Sequence, residues 1–530
     1  MKYPHDSFTA DERARLAPHF SNLDGPVFAL RNLPETVKGA LFARYSRYPG
    51  TLRRLFLDEF ASSLPELPQG WEDVGEGERA ARLYENVFLG YGDDSVAQLG
   101  GAHVACEWVS NVLTKVLQRP RLGAYLEQST RYIAYDAPMP GGGYRFYRDD
   151  QLGTQYEAAM NELFTIYAEA LPVVMASVAE RFPRGEGDSE RAHTRAIKAK
   201  AFDLLRGLLP AASLSHMGIF ATGQTYEQLI LHLLAHPLPE AQRYGELMLE
   251  AVRSTIPSFV ARVERPDRGG AWVDYLRTRA DAGRAWAAHL GLEENGGELA
   301  ASVTLLRADG DEDDLLAALL FEATGVPEDR TRERVAGLPL EERARLLRDL
   351  VGARENRRHR PGRGLEALRY RFEVVSDYGA FRDLQRHRML TVQWQSLSPA
   401  LGAEVPEEVD RAGAGDAYRR ALEVSRAEYE RLVAAGMREA APYAVCLGYR
   451  IRYVLDMNAR AAMQLIELRS GREGHPSYRA VAHALHAQIA AVHPAVGATM
   501  THVDRTAEPR LERILSEMRT EAKQAAARRD

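Results

Sequence analysis

Cysteine is nearly missing from this chain, with only Cys106 and Cys446 in 530 residues. They are far apart and form no CxxC pair, which argues against a zinc ribbon or a dithiol redox site and fits a reducing, cytoplasmic setting. A long apolar run is also missing. No stretch of about 18 apolar residues stands out, so no transmembrane helix is expected. The opening MKYPHDSFTADERARL is polar and lacks the apolar core of a signal peptide. A basic excess is absent too: the net charge is -6 and the pI about 6.2, unlike the positive field of a general nucleic-acid binder. His359, His387 and His475 are too scattered for a metal set, and the glycines at 141–143 lack the strand, turn and helix of a dinucleotide fingerprint.

What is present is helical periodicity. Apolar residues recur at three- and four-residue spacings in 151–182, 224–257, 414–437 and 477–493. Thr9 followed by Glu12 reads as a capping box. Short strand-like runs intervene, at Tyr370 to Val375 and at Arg450 to Met457. Strands scattered among long helices predict an α+β fold rather than regular βαβ alternation. A polar stretch, LEENGGELAA and then RADGDEDD, reads as a loop or linker. It puts the domain boundary near residue 300, giving domains 1–300 and 301–530.

The two halves share an order of features. RPRLGAYLEQSTRY (Arg119 to Tyr132) and RHRMLTVQWQSLSP (Arg386 to Pro399) each hold an Arg-x-Arg with a Ser ten residues after the first Arg. Downstream come RGLLP (Arg206 to Pro210) and REAAP (Arg438 to Pro442), each leading towards a long helix. This pattern reads as a diverged tandem duplication. Arg-x-Arg with nearby hydroxyls suits phosphate, because guanidinium forks match its oxygens two at a time. Between two arginines, the protonated form of His387 is disfavoured. On a helix, Arg460, Gln464 and Glu467 share a face, with Asn458 near its start and Arg469 near its end. The residues alone also allow a solvated basic turn for the first feature and an ordinary amphipathic helix for the second.

Taken together, the ordered set resembles the flavin-dependent thymidylate synthases through both halves. That family carries an Arg-His-Arg…Ser…Ser-x-Arg signature, an Arg-x-x-Leu-Pro segment, an Asn-x-Arg at a helix start and a later Leu-Arg. The resemblance implies two tandem domains of this kind, mostly helical with small sheets. It implies conversion of dUMP to dTMP with FAD, NADPH and methylenetetrahydrofolate, and no cysteine nucleophile. Family sites form between subunits of a homotetramer, so a tandem chain is expected to act as a homodimer imitating it.

The signatures are divided between the halves. The first keeps Glu127, Ser129, Arg131 and Tyr132, which surround the nucleotide in the family, and Arg206 before Leu-Pro. Its central His is Pro120 and its first Ser is Ala124; of the family's His-x-Ser-Val loop only Ser95 and Val96 remain. The second half keeps Arg386, His387 and Arg388, with Thr391 for the first Ser, then Ser396, Asn458, Arg460 and Arg469, with Gln464 where an Asn usually stands. Trp394, Ser398 and Pro399 replace the Glu, Arg and Tyr, and Gly474 to Ser477 replace a later Ala-Gln-Trp-Glu, of which the first half keeps Ala241 and Gln242. By resemblance, Arg469 polarises the pyrimidine. Glu127, Ser129, Arg131, Arg206, Arg386, Ser396 and Arg438 face the substrate. Ser95, Arg119, Arg121, Arg386, His387, Arg388, Asn458, Arg460 and Gln464 face the cofactor, and no metal is implied. One composite site from unlike halves is the expectation. The alternatives are a paralogue acting on another pyrimidine, or an inactive nucleotide-binding scaffold. The stretch Arg354 to Arg371 holds seven arginines and occupies the place of the family's flavin-phosphate loop; a solvated loop or RNA binding remain open. Membrane association is not expected, and nucleic-acid binding comes last.

Overall fold

The structure, a computed structural model, describes residues 3–64, 96–139, 142–292, 297–506, 511 and 513–526. The chain is a mostly helical α+β protein with two small antiparallel sheets, matching two domains in tandem. The first sheet holds β1 (Val27–Leu30), β2 (Gly101–Ser110), β3 (Ala124–Glu127) and β4 (Leu214–Thr222), in the order β1-β2-β4-β3. The second holds β5 (Ser302–Asp309), β6 (Arg369–Asp377), β7 (Thr391–Trp394) and β8 (Arg450–Asn458), in the order β5-β6-β8-β7. One topology thus occurs twice. In both sheets the second and fourth strands run straight into capped helices. Ser110 caps Asn111–Leu117 and Asp377 caps Tyr378–Leu384, while Thr222 caps Gly223–Ala235 and Asn458 caps Ala459–Arg469.

Packing divides the chain into two compact units that are each discontinuous in sequence. One comprises Met1–Ala168, Leu209–Asn295 and Glu423–Val445; the other comprises Glu169–Leu208, Gly296–Leu422 and Cys446–Asp530. The segment Glu169–Leu208, which holds Arg206, therefore packs with the Arg-His-Arg block, and the segment holding Arg438 packs with β1–β4.

The periodic segments form helices. Residues 224–257 do so as two, Gly223–Ala235 and Pro239–Arg253, because proline lacks the N–H that would continue the first and starts a new helix readily. The Thr9/Glu12 capping box is present. The acidic run read as loop is partly ordered: Ser302–Asp309 is a strand, and Asp311 with Asp314 builds a capping box for Glu312–Leu320. The β2 and β4 strands escaped the sequence reading because they are buried along almost their whole length and show no alternation. One helix, spanning 150–181, is long and apolar enough by length and composition to cross a membrane. It carries Glu157, Glu162 and Glu169, so it shows no unbroken apolar run, and it buries Tyr156, Phe164, Tyr167 and Val174.

In the first unit Glu240 is buried against the Ser110 cap. Its carboxylate accepts from the Ser110 N–H at 2.8 Å, the Ser110 hydroxyl at 2.6 Å and the Tyr443 hydroxyl at 2.7 Å. Burial pushes this carboxyl from 4.5 up to about 7, against the pull of those bonds. The unfolded chain releases the proton near 4.5 and the folded one near 7, so this stability is whole below the lower value and lost as pH rises to the upper. Relative to wild type, Glu240→Gln is expected to gain on the order of 3 kcal/mol between those limits, since one unit is ~1.4 kcal/mol. Urea unfolding of both proteins across the range checks this; a pH-independent difference would refute it.

Candidate active site

The helix Ala459–Arg469 organises the second unit's polar residues. The Asn458 side chain accepts from the Ala461 N–H at 2.8 Å, which fixes the helix start. Arg460 then donates to the Pro361 carbonyl at 3.0 Å and reaches Glu366 at 3.3 Å. Asn458, Arg460 and Gln464 line a pocket of about 170 Å³ together with Arg357, Arg360 and Met389. The arginine-rich stretch thus meets the predicted cofactor residues. It is anchored by Arg354, whose guanidinium forms a two-pronged pair with Glu467, at 2.7 and 2.5 Å, and donates to the His359 carbonyl at 2.7 Å. Both side chains of that pair are almost fully buried, and the His502 N–H also reaches Glu467. Four guanidinium groups, two side-chain amides and a small volume suit phosphate groups rather than a whole dinucleotide.

At its far end the same helix presents Arg469. Its guanidinium lies 5.4 Å from the Tyr478 ring centroid, and its Nε–H donates to His387 Nε2 at 2.9 Å. That bond needs a lone pair on Nε2, so His387 is neutral with its proton on Nδ1. Burial, then the Arg469 charge, hold His387 well below 6.5. The Arg-His-Arg triplet follows the helix Tyr378–Leu384, whose last turn carries Asp383.

Asp383 connects this group to Arg206. The Arg206 Nη1 donates to Asp383 at 3.2 Å, and its Nη2 lies 3.7 Å from Asp377. Arg386 faces Asp383 at 3.9 Å. Arg206 is 4% exposed, yet among the described residues its Nε and Nη2 have no hydrogen-bond partner. The guanidinium lies against a bare backbone: a Cβ on Gly379 would stand 2.9 Å from Nε and 3.0 Å from Nη2. Beside it lies a cavity of about 790 Å³, lined in part by Lys200, Arg206, Asp377, Tyr418, His475 and Ser477.

The other predicted residues are placed as follows. Glu127 is buried and bonded to Lys115 at 3.0 Å and to Gln118 at 2.8 Å. The Ser129 hydroxyl accepts from the Arg131 N–H at 3.2 Å, with both residues half-buried. These three belong to the first unit, as do Arg119, Arg121 and Arg438, which are exposed. Ser396 is exposed and Arg388 half-buried in the second unit. Ser95 lies outside the described residues. The second unit therefore gathers Arg206, Arg386, His387 and Arg469 around Asp383. Its smaller pocket gathers Asn458, Arg460 and Gln464.

Asp383 and Gly379 escaped the sequence reading, for a single Asp or Gly near a basic triplet carries no pattern. Asp377 had a legible signal as a helix cap. Its partner exposes a further divergence. Asp377 accepts from the Ser477 hydroxyl, one residue after Pro476; in the first unit Ser110 bonds Glu240, one residue after Pro239. Carboxylate and hydroxyl have changed places between equivalent positions. In the first unit the carboxylate takes Tyr443, whose ring stacks on Tyr147 at 4.5 Å. In the second it faces Arg206.

A family profile described as thymidylate synthase complementing protein matches residues 56–258, which include β2 to β4, and 311–495, which include β6 to β8. A UPF0159 protein of Chlamydia muridarum is 37% identical over 528 residues, covering 97% of this chain and 99% of that protein. A UPF0159 protein of Thermoplasma acidophilum is 29% identical over 522 residues, covering 92% and 99%. Among solved structures, a UMP/dUMP methylase from Streptomyces cacaoi bound with 5-Br dUMP is similar at 20% identity and a TM-score of 0.32, covering 39% of this chain and 98% of that one.

Proposed function

We propose, from the premise that the chain belongs to the thymidylate synthase complementing protein family, that it methylates dUMP to dTMP with FAD, NADPH and methylenetetrahydrofolate. The observation that carries this reading is one helix, Ala459–Arg469, whose start lines the Arg357/Arg360/Asn458/Arg460/Gln464 pocket and whose end bonds His387 through Arg469, in the unit that also holds Arg206. The pocket residues would hold the flavin phosphates. When bound, the flavin supplies the redox chemistry of the methyl transfer. Arg469 would face the pyrimidine and polarise it, raising electron density at C5. Neutral His387 would keep the Arg469 guanidinium aimed, and Tyr478 would hold it from the other side. Arg206 and Arg386 would take the nucleotide phosphate. Glu127, Ser129, Arg131 and Ser396 would complete the nucleotide wall of a composite site, with a two-fold dimer imitating a tetramer.

The test is dTMP formation by the purified protein given dUMP, methylenetetrahydrofolate, NADPH and FAD. Product above a no-enzyme control is expected. Bound flavin with no product, and product instead from another pyrimidine, would replace dUMP as the substrate; no product from any would leave a nucleotide-binding scaffold.

A further inference from the structure

The arginines assigned to the phosphate already share a carboxylate. Arg206 donates to one Asp383 oxygen at 3.2 Å, and Arg386 lies 3.9 Å from the other. Asp383 also faces the pair beyond: its charge acts on both His387 and Arg469. A carboxylate presents two anionic oxygens to guanidinium forks much as a phosphate does. Among the described residues, two nitrogens of the buried Arg206 make no hydrogen bond, with Nη2 3.7 Å from Asp377, so it retains donors that a third anionic oxygen would satisfy. Its backbone is fixed: a Cβ on Gly207 would meet the Tyr418 hydroxyl at 1.9 Å, and the Gly448 N–H donates to the Gly207 carbonyl at 2.9 Å. Arg206 therefore cannot withdraw easily, whereas Asp383 sits in the last turn of a short helix and can turn away about its own side-chain bonds.

We propose that Asp383 is a built-in competitor for the substrate's phosphate, occupying the arginines until a phosphorylated ligand displaces it. This inference rests on the nucleotide reading above and names how that same site is regulated. Before a ligand binds, Asp383 holds Arg206 and Arg386 together, where unpaired guanidinium groups would repel. It also sets a threshold: a free carboxylate or a weakly charged anion gains little by exchange, while a phosphate dianion gains a full charge. The site then discriminates for phosphorylated pyrimidines over nucleosides.

The test is equilibrium binding of dUMP, inorganic phosphate and deoxyuridine to wild type and Asp383→Asn, which keeps the side-chain shape. A unit charge a few ångström away changes affinity roughly tenfold or more even under strong screening. Asp383→Asn is therefore expected to bind dUMP and phosphate at least about tenfold tighter and deoxyuridine no differently. Asp383→Ala, a second neutral variant, should move in the same direction. Unchanged or weaker dUMP binding overturns the proposal and makes Asp383 a residue that only positions the arginines. An equal change for deoxyuridine overturns it as well, since the effect would not depend on phosphate. If neither protein binds dUMP, the nucleotide reading fails, and the phosphate arm alone decides: tightening upholds the competitor role and its absence overturns it.

Discussion

Arg469→Ala is expected to lower dTMP formation about a hundredfold or more while leaving flavin bound, the loss typical when one preorganised charge is removed from a developing anion. The proposed flavin pocket should survive because Asn458 and Arg460 are fixed at the start of the helix and not at its end. A second readout follows from His387. Its suppressed basicity comes first from burial and second from Arg469, so the variant's imidazole should titrate at higher pH than in wild type while staying below 6.5. Histidine NMR titration reads this directly. Arg469→Lys keeps the charge but loses the planar fork and should recover only part of the turnover. Wild-type turnover in the alanine variant would mean that Arg469 merely packs between His387 and Tyr478.

Glu467→Gln is expected to cost about 3–5 kcal/mol of stability, the usual penalty for leaving a buried cation without its anion. Arg354 would keep its bond to the His359 carbonyl but lose a two-pronged ionic partner in a nearly dry setting. The loop it anchors carries Arg357 and Arg360 to the pocket, so flavin affinity should fall with stability. Replacing both partners, as Arg354→Met with Glu467→Leu, should recover most of the stability, because an apolar pair fills the site without a buried charge. Flavin affinity should stay weak in that double variant, for Arg354 itself lines the pocket. Thermal unfolding and flavin fluorescence titration separate the two effects. Full flavin affinity in Glu467→Gln would show that the loop is held elsewhere.

The sequence by itself determined what depends on near neighbours. The Thr9 cap, the helix from Ala459 and the strands at Arg369 and Arg450 follow from residues three or four apart or from alternation. One helix therefore had to carry Arg460, Gln464 and Arg469, whatever it packed against. The repeat of the Arg-x-Arg blocks was legible for the same reason. The tertiary structure alone decided which charges meet. Arg206 and Asp383 are 177 positions apart, and they meet because Glu169–Leu208 buries its apolar face in the second unit. Periodicity tells that a helix has an apolar face but not which core receives it, since hydrophobic burial has no direction and accepts any surface of matching shape. The arginine-rich stretch shows the same limit. Its composition allows a solvated loop as readily as a phosphate cradle, and only the burial of Arg354 on Glu467, 113 positions away, sets where the remaining guanidinium groups stand.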